Sequence, residues 1–222
     1  MFKKVLVAED LDSISIAVIQ VLEDLKVPII DHVKYCDDGL LKVKKAISDN
    51  APYDLLISDL SFKSDYRKNQ LNSGEDLIGA INNVQPKLKK IVFSIEDKSF
   101  RIKTLFNDLG IHAYVSKGRN SIEELRKAIE KVYRNEEKIL SSDLSFSFSD
   151  KSLIEIESYD ISILSLLAKG YILEHISNEF KAMSITPNGT SSIEKRINKL
   201  KIYFKANNNV HLIAIAKDFG LV

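Results

Sequence analysis

The chain has 222 residues and a formal net charge of +1 at pH 7, with 45% hydrophobic and 28% charged residues. These are the totals of an ordinary globular protein with room for one large domain or two small ones, and they exclude an overall charge that by itself dictates a partner. The single cysteine, Cys36, excludes an intramolecular disulfide and a cysteine-based metal site. Read alone, it is a small buried hydrophobe. The sequence enters a strand-like run almost at once, and no stretch approaches membrane-spanning length, so a cytoplasmic protein with no membrane partner is expected.

Val5–Ala8 is a short apolar run that ends on Glu9-Asp10. Asp12 or Ser13 can cap the helix that follows, in which Ile14, Val18, Val21, Leu22 and Leu25 recur at helical spacing. Pro28 stops it, and Ile29–Cys36 reads as a second strand. Asp38-Gly39 is a turn signal, and Leu40, Leu41, Val43 and Ile47 read as one helical face. Tyr53–Asp59 is an apolar run ending abruptly on a carboxylate, the pattern of a buried strand in a parallel sheet. A long polar loop, Ser61–Ser73, leads to a helix from Ser73-Gly74 through Leu77, Ile78 and Ile81. Lys90–Ile95 is a fourth strand, Ile102–Leu109 a helix closed by Gly110, His112–Ser116 a fifth strand ending at Lys117-Gly118, and Ser121 opens the last helix of the series. Five alternations of strand and helix imply an α/β unit with a parallel sheet, and the flavodoxin-like order 2-1-3-4-5 is the natural candidate.

In that order the carboxyl ends of the strands gather Glu9, Asp10, Asp59, Ser94 and Lys117, where open α/β sheets place their ligands. Three carboxylates in one cleft repel one another unless a cation binds. A hard divalent ion suits oxygen ligands, and Mg²⁺ takes a few carboxylates with waters and phosphate oxygens. A carboxylate there can become an aspartyl phosphate, with Ser94 donating to one phosphoryl oxygen and Lys117 neutralising another. Taken singly, Ser94 reads as a satisfied strand hydroxyl, Lys117 as a solvent-facing cation and Tyr114 as an ordinary sheet aromatic.

With Glu9-Asp10, Asp59, Ser94, Tyr114 and Lys117 in this order on five alternating units, residues 1–134 resemble the receiver domain of two-component response regulators. The resemblance implies that Asp59 is the phosphoacceptor and that Asp10 and Asp59 bind Mg²⁺ directly. It implies the Ser61 backbone carbonyl as a third ligand and Glu9 acting through a water. Ser94 and Tyr114 would be a switch pair, the hydroxyl moving toward the phosphate and the ring turning inward. Phe62 stands near the family's common proline, the loop to Gly74 is several residues longer than usual, and Gly118 replaces a frequent proline.

Residues 135–153 read as a linker, rich in Ser and Asp with Phe146 and Phe148 in alternation. Residues 154–222 read as all-helical. One helix runs from Asp160 to Ala168, and another from Leu173 to Phe180. The breaker Thr186-Pro187-Asn188-Gly189 precedes a helix capped by Ser191 or Ser192 that carries Ile193, Ile197, Leu200 and Phe204 on one face. An apolar helix, Val210–Phe219, closes the chain. Between Lys181 and Lys205 six basic residues face one acid, Glu194. A basic helix alone is usually a solvated face. After a helix and a turn it has the helix-turn-helix arrangement, with lysines placed for phosphates and Asn198 or Arg196 for base edges.

This region resembles the LuxR/NarL-type DNA-binding domain, on Ile156–Tyr159 with Leu164–Gly170, Glu174–Phe180 and Val210–Val222. The departure lies between Phe180 and Ile193, where the turn is several residues longer and Thr190–Lys195 replaces the family's usual helix start. The expected DNA contacts are Ser192, Lys195, Arg196, Asn198, Lys199 and Lys201. The two resemblances together imply a response-regulator transcription factor, not an enzyme. A sensor histidine kinase, double-stranded DNA and a second copy of the chain are its expected partners. The alternative is a signalling adaptor whose helical domain binds a protein. A phosphatase is disfavoured, because Leu60-Ser61-Phe62 offers no acid shortly after Asp59.

Overall fold

The computed structural model describes residues 1–63, 66, 69–136, 138–141 and 156–222, apart from the side chains of residues 99 and 100. The chain divides into two compact units. In the first, strands and helices alternate as β1 (Lys4–Ala8), α1 (Asp12–Asp24), β2 (Ile29–Val33), α2 (Cys36–Ser48), β3 (Leu55–Ser58) and α3 (Gly74–Val84), then β4 (Lys89–Ser94), α4 (Ser99–Asp108), β5 (Ala113–Ser116) and α5 (Ser121–Tyr133). A two-residue strand, β6 (Ile139–Leu140), follows. The sheet order is β2-β1-β3-β4-β5-β6, and all five pairings are parallel. The expected 2-1-3-4-5 order therefore holds, extended by one strand.

The four inner strands, β1, β3, β4 and β5, are buried on both faces, as crossover helices on either side of a parallel sheet require. Val5, Val7, Leu55, Ile57, Ile91 and Phe93 form one core with Val18 and Leu22 of α1 and Leu125 and Ile129 of α5. The intervening residues Leu6, Leu56 and Val92 are buried too, and the pleat turns them to the opposite face.

Local expectations fail where a tertiary contact decides. The second strand stops at Val33, and Cys36 begins α2. Asp38-Gly39 is no turn. It lies in the first turns of α2, where a Cβ on Gly39 would stand 3.3 Å from Leu77 Cδ2. The buried face of α2 is accordingly Cys36, Gly39, Val43 and Ala46, and Leu41 and Ile47 are exposed. Cys36 is the buried hydrophobe expected, and burial, reinforced by nearby carboxylates, pushes its thiol up to about 12. Leu11 occupies the cap position of α1 and Asp12 is its first helical residue, paired with Lys34 at 2.6 Å. Ser73 does cap α3, its Oγ accepting from Asp76 N at 3.1 Å. β6 falls in the stretch read as linker. Most of that stretch, including Phe146 and Phe148, lies outside the described residues.

The second unit contains, among the described residues, α6 (Ser158–Ala168), α7 (Leu173–Ala182), α8 (Thr190–Tyr203) and α9 (Asn209–Asp218). Ile163, Leu164, Leu167, Ile176, Phe180, Ile193, Ile197 and Leu212 form its core. Gly189, not Ser191 or Ser192, caps α8. No helix of the described residues is long and apolar enough to cross a membrane.

Gly74 is fixed by a close approach. A Cβ there would lie 1.9 Å from the carbonyl oxygen of Asp59, a backbone atom with no freedom to yield. Gly118 faces open space. Gly74→Ala is therefore expected to lower stability in urea unfolding by about 3 kcal/mol, and Gly118→Ala by less than about 0.5 kcal/mol.

Candidate functional site

Parallel strands ending at one edge bring five chemically active side chains together. Asp59 N donates to Ala8 O at 3.0 Å, and Lys117 N donates to Ser94 O at 2.8 Å, which locks the residues just beyond β1, β3, β4 and β5 into register. Glu9 and Asp59 are only 2% and 7% exposed. Lys117 Nζ donates to Asp59 Oδ2 at 2.5 Å and to Glu9 Oε2 at 2.7 Å. Its side chain is 9% exposed, so it is no solvent-facing cation. Asp59 Oδ1 accepts from Leu60 N at 2.6 Å, and Glu9 Oε1 from Leu11 N at 3.1 Å. Carboxylate oxygens of Glu9, Asp10 and Asp59 lie within 4.8 Å of one another.

Three acids therefore face one lysine. Burial, opposed by the Lys117 hydrogen bond and charge, leaves the Glu9 carboxyl above its usual range. Ser94 is fully buried, and its Oγ has no hydrogen-bond partner among the described residues, so it is not the satisfied strand hydroxyl that it resembles in isolation. An orphan hydroxyl beside a lysine and an acid cluster fits an oxygen-rich anion held with a hard cation. Tyr114 is also fully buried, and its hydroxyl donates to Glu96 O at 2.6 Å. The loop starting at Ser61 closes on itself through an antiparallel bridge between Ser61 and Ser73. One leg touches the acid cluster, where Lys63 N donates to Asp10 Oδ2 at 2.9 Å. The other is held by Asp37, whose carboxylate accepts from Gln70 N and Leu71 N at 2.9 and 3.1 Å.

In the second unit Ser192, Lys195, Asn198 and Lys199 are exposed on α8, and Lys201 is half-buried. Arg196 departs from expectation. Its Nη2 donates to Asp160 Oδ2 at 2.6 Å and its Nε to Oδ1, and Asp160 is fully buried. This bidentate pair commits the guanidinium fork to holding α8 on α6, so Arg196 is not free to read a base edge. Asp160 Oδ2 also accepts from Glu157 N at 3.1 Å at the start of α6. In the sequence, the signal of a buried partner is that Asp160 directly abuts the mostly apolar run Ile161–Ala168. Ile202, which falls outside the apolar face of the helix pattern, is 80% exposed on α8.

Two measurements follow from these charges. Glu9 has a raised folded-state pKa, so its contribution to stability is full below about 4.5 and lost as pH rises through the raised value. Glu9→Gln should accordingly be more stable than wild type in thermal melts at pH 7, with the difference vanishing at low pH. Arg196→Ala strands a buried carboxylate and should cost about 3 kcal/mol in stability, whereas a base-reading arginine could be removed without that loss.

No protein-family model matches the sequence, and no curated protein is significantly similar to it. Solved structures do share its fold. A structure of the RcsB response regulator of Salmonella typhimurium superposes with a TM-score of 0.69 at 19% identity, over 96% of this chain and 98% of that one. A structure of two RcsB dimers bound to two parallel DNAs gives 0.67 at 18% identity, over 97% and 98%. The isolated REC domain of RcsB from Salmonella enterica serovar Typhimurium, in the presence of the phosphomimetic BeF3-, gives 0.53 at 20% identity, over 65% of this chain and 96% of that one. The chain therefore has the fold of these response regulators, a receiver-type sheet unit followed by a helical unit.

Proposed function

We propose that the chain is a response-regulator transcription factor of a two-component system, with residues 1–134 as receiver and 154–222 as DNA-binding domain. The carrying observation is Lys117, clamped between buried Glu9 and Asp59 beside the unpartnered hydroxyl of Ser94. Asp10 and Asp59, the Ser61 carbonyl and, through a water, Glu9 would hold Mg²⁺, which when bound neutralises phosphoryl oxygens. An Asp59 carboxylate oxygen attacks the phosphorus of a phosphohistidine on the sensor kinase. The P–N bond breaks, its electron pair stays on the imidazole, and Asp59 becomes an aspartyl phosphate. Lys117 neutralises one phosphoryl oxygen and Ser94 donates to another. Tyr114 is fully buried, and its ring would turn inward into the space that the Ser94 hydroxyl leaves as it moves toward the phosphate. Phosphorylation then biases a two-state receiver toward dimerisation and DNA binding.

For the second unit, support comes from the exposed lysines of α8 and from the shared fold with RcsB, which is described in complex with DNA. The adaptor reading is favoured by one observation, the exposed Ile202 on that helix. Lys195→Glu with Lys199→Glu separates the two, since DNA binding collapses while an apolar protein contact survives.

Acetyl phosphate with Mg²⁺ should add one phosphoryl group to the wild type by intact mass and none to Asp59→Ala. Lys117→Ala should be phosphorylated about 100-fold more slowly. Phosphorylated protein should bind genomic DNA fragments more tightly than unphosphorylated protein. Equal phosphorylation of Asp59→Ala would reject Asp59 as acceptor, and binding to no fragment in either state would reject the transcription factor.

A further inference from the structure

We propose that the groove between the Thr186-Pro187 turn and the Lys195–Lys199 face of α8 is a phosphodiester-binding site that clamps one backbone strand of duplex DNA. The proposal rests on the DNA-binding reading and assigns a role to the turn that the family resemblance leaves unexplained. The groove encloses about 350 Å³, and its walls include Tyr159, Thr186, Pro187, Ser192, Lys195 and Lys199. That is the low end of small-ligand sites.

Ser192, Lys195 and Lys199 stand three and then four residues apart, so they share one face of the helix. Lys195 and Lys199 are exposed and have no carboxylate partner among the described residues. Arg196 also borders the groove, but Asp160 cancels its charge. Glu157 is the one acid in the lining, and two free lysines outweigh it. The remaining field is that of an anion site. Thr186 and Ser192 add hydroxyl donors, and Pro187 and Tyr159 an apolar wall of the kind a deoxyribose accepts.

The turn is also held before any ligand arrives. Tyr159 Oη donates to Pro187 O at 2.6 Å, Ser177 Oγ donates to Asn188 O at 2.6 Å, and Ile185 N donates to Phe180 O at 2.8 Å. Three anchors from two helices, α6 and α7, spare much of the ordering cost that a loose seven-residue turn, Met183–Gly189, would incur on binding. A longer turn than the family's, fixed in this way and lined by unpaired lysines, is a surface suited to a polyanion.

The test uses the full chain and a short mixed-sequence DNA duplex, with binding followed by fluorescence anisotropy between about 50 and 200 mM salt. Wild type should bind with an affinity that falls steeply with salt. Thr186→Glu, at an exposed position, should bind about 10-fold more weakly, with a salt slope shallower by about 1. Tyr159→Phe removes an anchor but no phosphate contact, so it should weaken binding while leaving the slope unchanged. Thermal melts establish that both variants are folded, and Thr186→Asp serves the same comparison should the glutamate variant melt early. Wild-type affinity and slope in Thr186→Glu, with wild type itself binding the duplex, would overturn the groove and leave the DNA-binding reading standing. No duplex binding by wild type, with saturable binding of a polyglutamate peptide instead, would overturn both and give the groove to an acidic protein.

Discussion

Everything at the carboxyl edge of the sheet depends on keeping three carboxylates close together, with two of them, Glu9 and Asp59, out of water. An uncompensated buried charge is costly enough that such a group ordinarily neutralises itself by taking up a proton. Lys117 opposes that outcome for Glu9, and its one ammonium is hydrogen-bonded to both Glu9 and Asp59. The compensation is incomplete, since among the described residues three acids share the charge of Lys117. The imbalance is the chemical property of the site. It leaves a negative excess that a divalent cation would relieve, and a cation so held would in turn favour a doubly charged phosphoryl group. Backbone geometry enforces the arrangement, because Gly74 brings its Cα against the Asp59 carbonyl and the β4 and β5 ends are tied at Ser94 and Lys117.

The helical unit uses a related device for a different end. Asp160 is fully buried, accepts the first amide of its own helix start, and grips Arg196 by two parallel hydrogen bonds. Here charge is balanced inside the unit, and the outcome is geometric: α8 is set on α6 with a fixed rotation. That rotation decides which of its residues look outward. Ser192, Lys195, Asn198 and Lys199 do so, and Arg196 does not. The sheet unit leaves its charge unbalanced where chemistry is needed, and the helical unit balances it where shape is needed.

The sheet was legible in the sequence because β1, β3, β4 and β5 are centred on apolar runs too short for a helix, each followed or closed by a polar residue. The site was legible only as a set. Ser94, Lys117 and Tyr114 each have bland readings in isolation, and their buried, connected state emerges only when four strand ends are placed in one order. What escaped was set by contacts distant in sequence. Cys36 and Gly39 read as strand and turn because their partners in the buried face lie far along the chain, Ser73 O for the Cys36 thiol and the Leu77 side chain for Gly39. Arg196 looked like one more outward cation because its partner is 36 residues earlier. Ile139-Leu140 is too short for any periodicity to register, and β6 exists through pairing with β5 alone.

That small strand changes where the chain leaves the sheet unit. A helix that follows a parallel strand runs back toward the amino edge, so without β6 the polypeptide would depart from α5 at the end remote from Asp59. With β6 it turns and travels forward again beside β5. Ser141 N donates to Tyr114 O at 3.1 Å, and Ser141 Oγ accepts from Ser116 N at 3.2 Å. The departing segment is thus stitched to the strand that bears Tyr114, and its last described residue lies level with the neighbour of Lys117. A shift of β5 in response to charge at Asp59 would be felt directly at Ser141, which is hydrogen-bonded to that strand at both Tyr114 and Ser116.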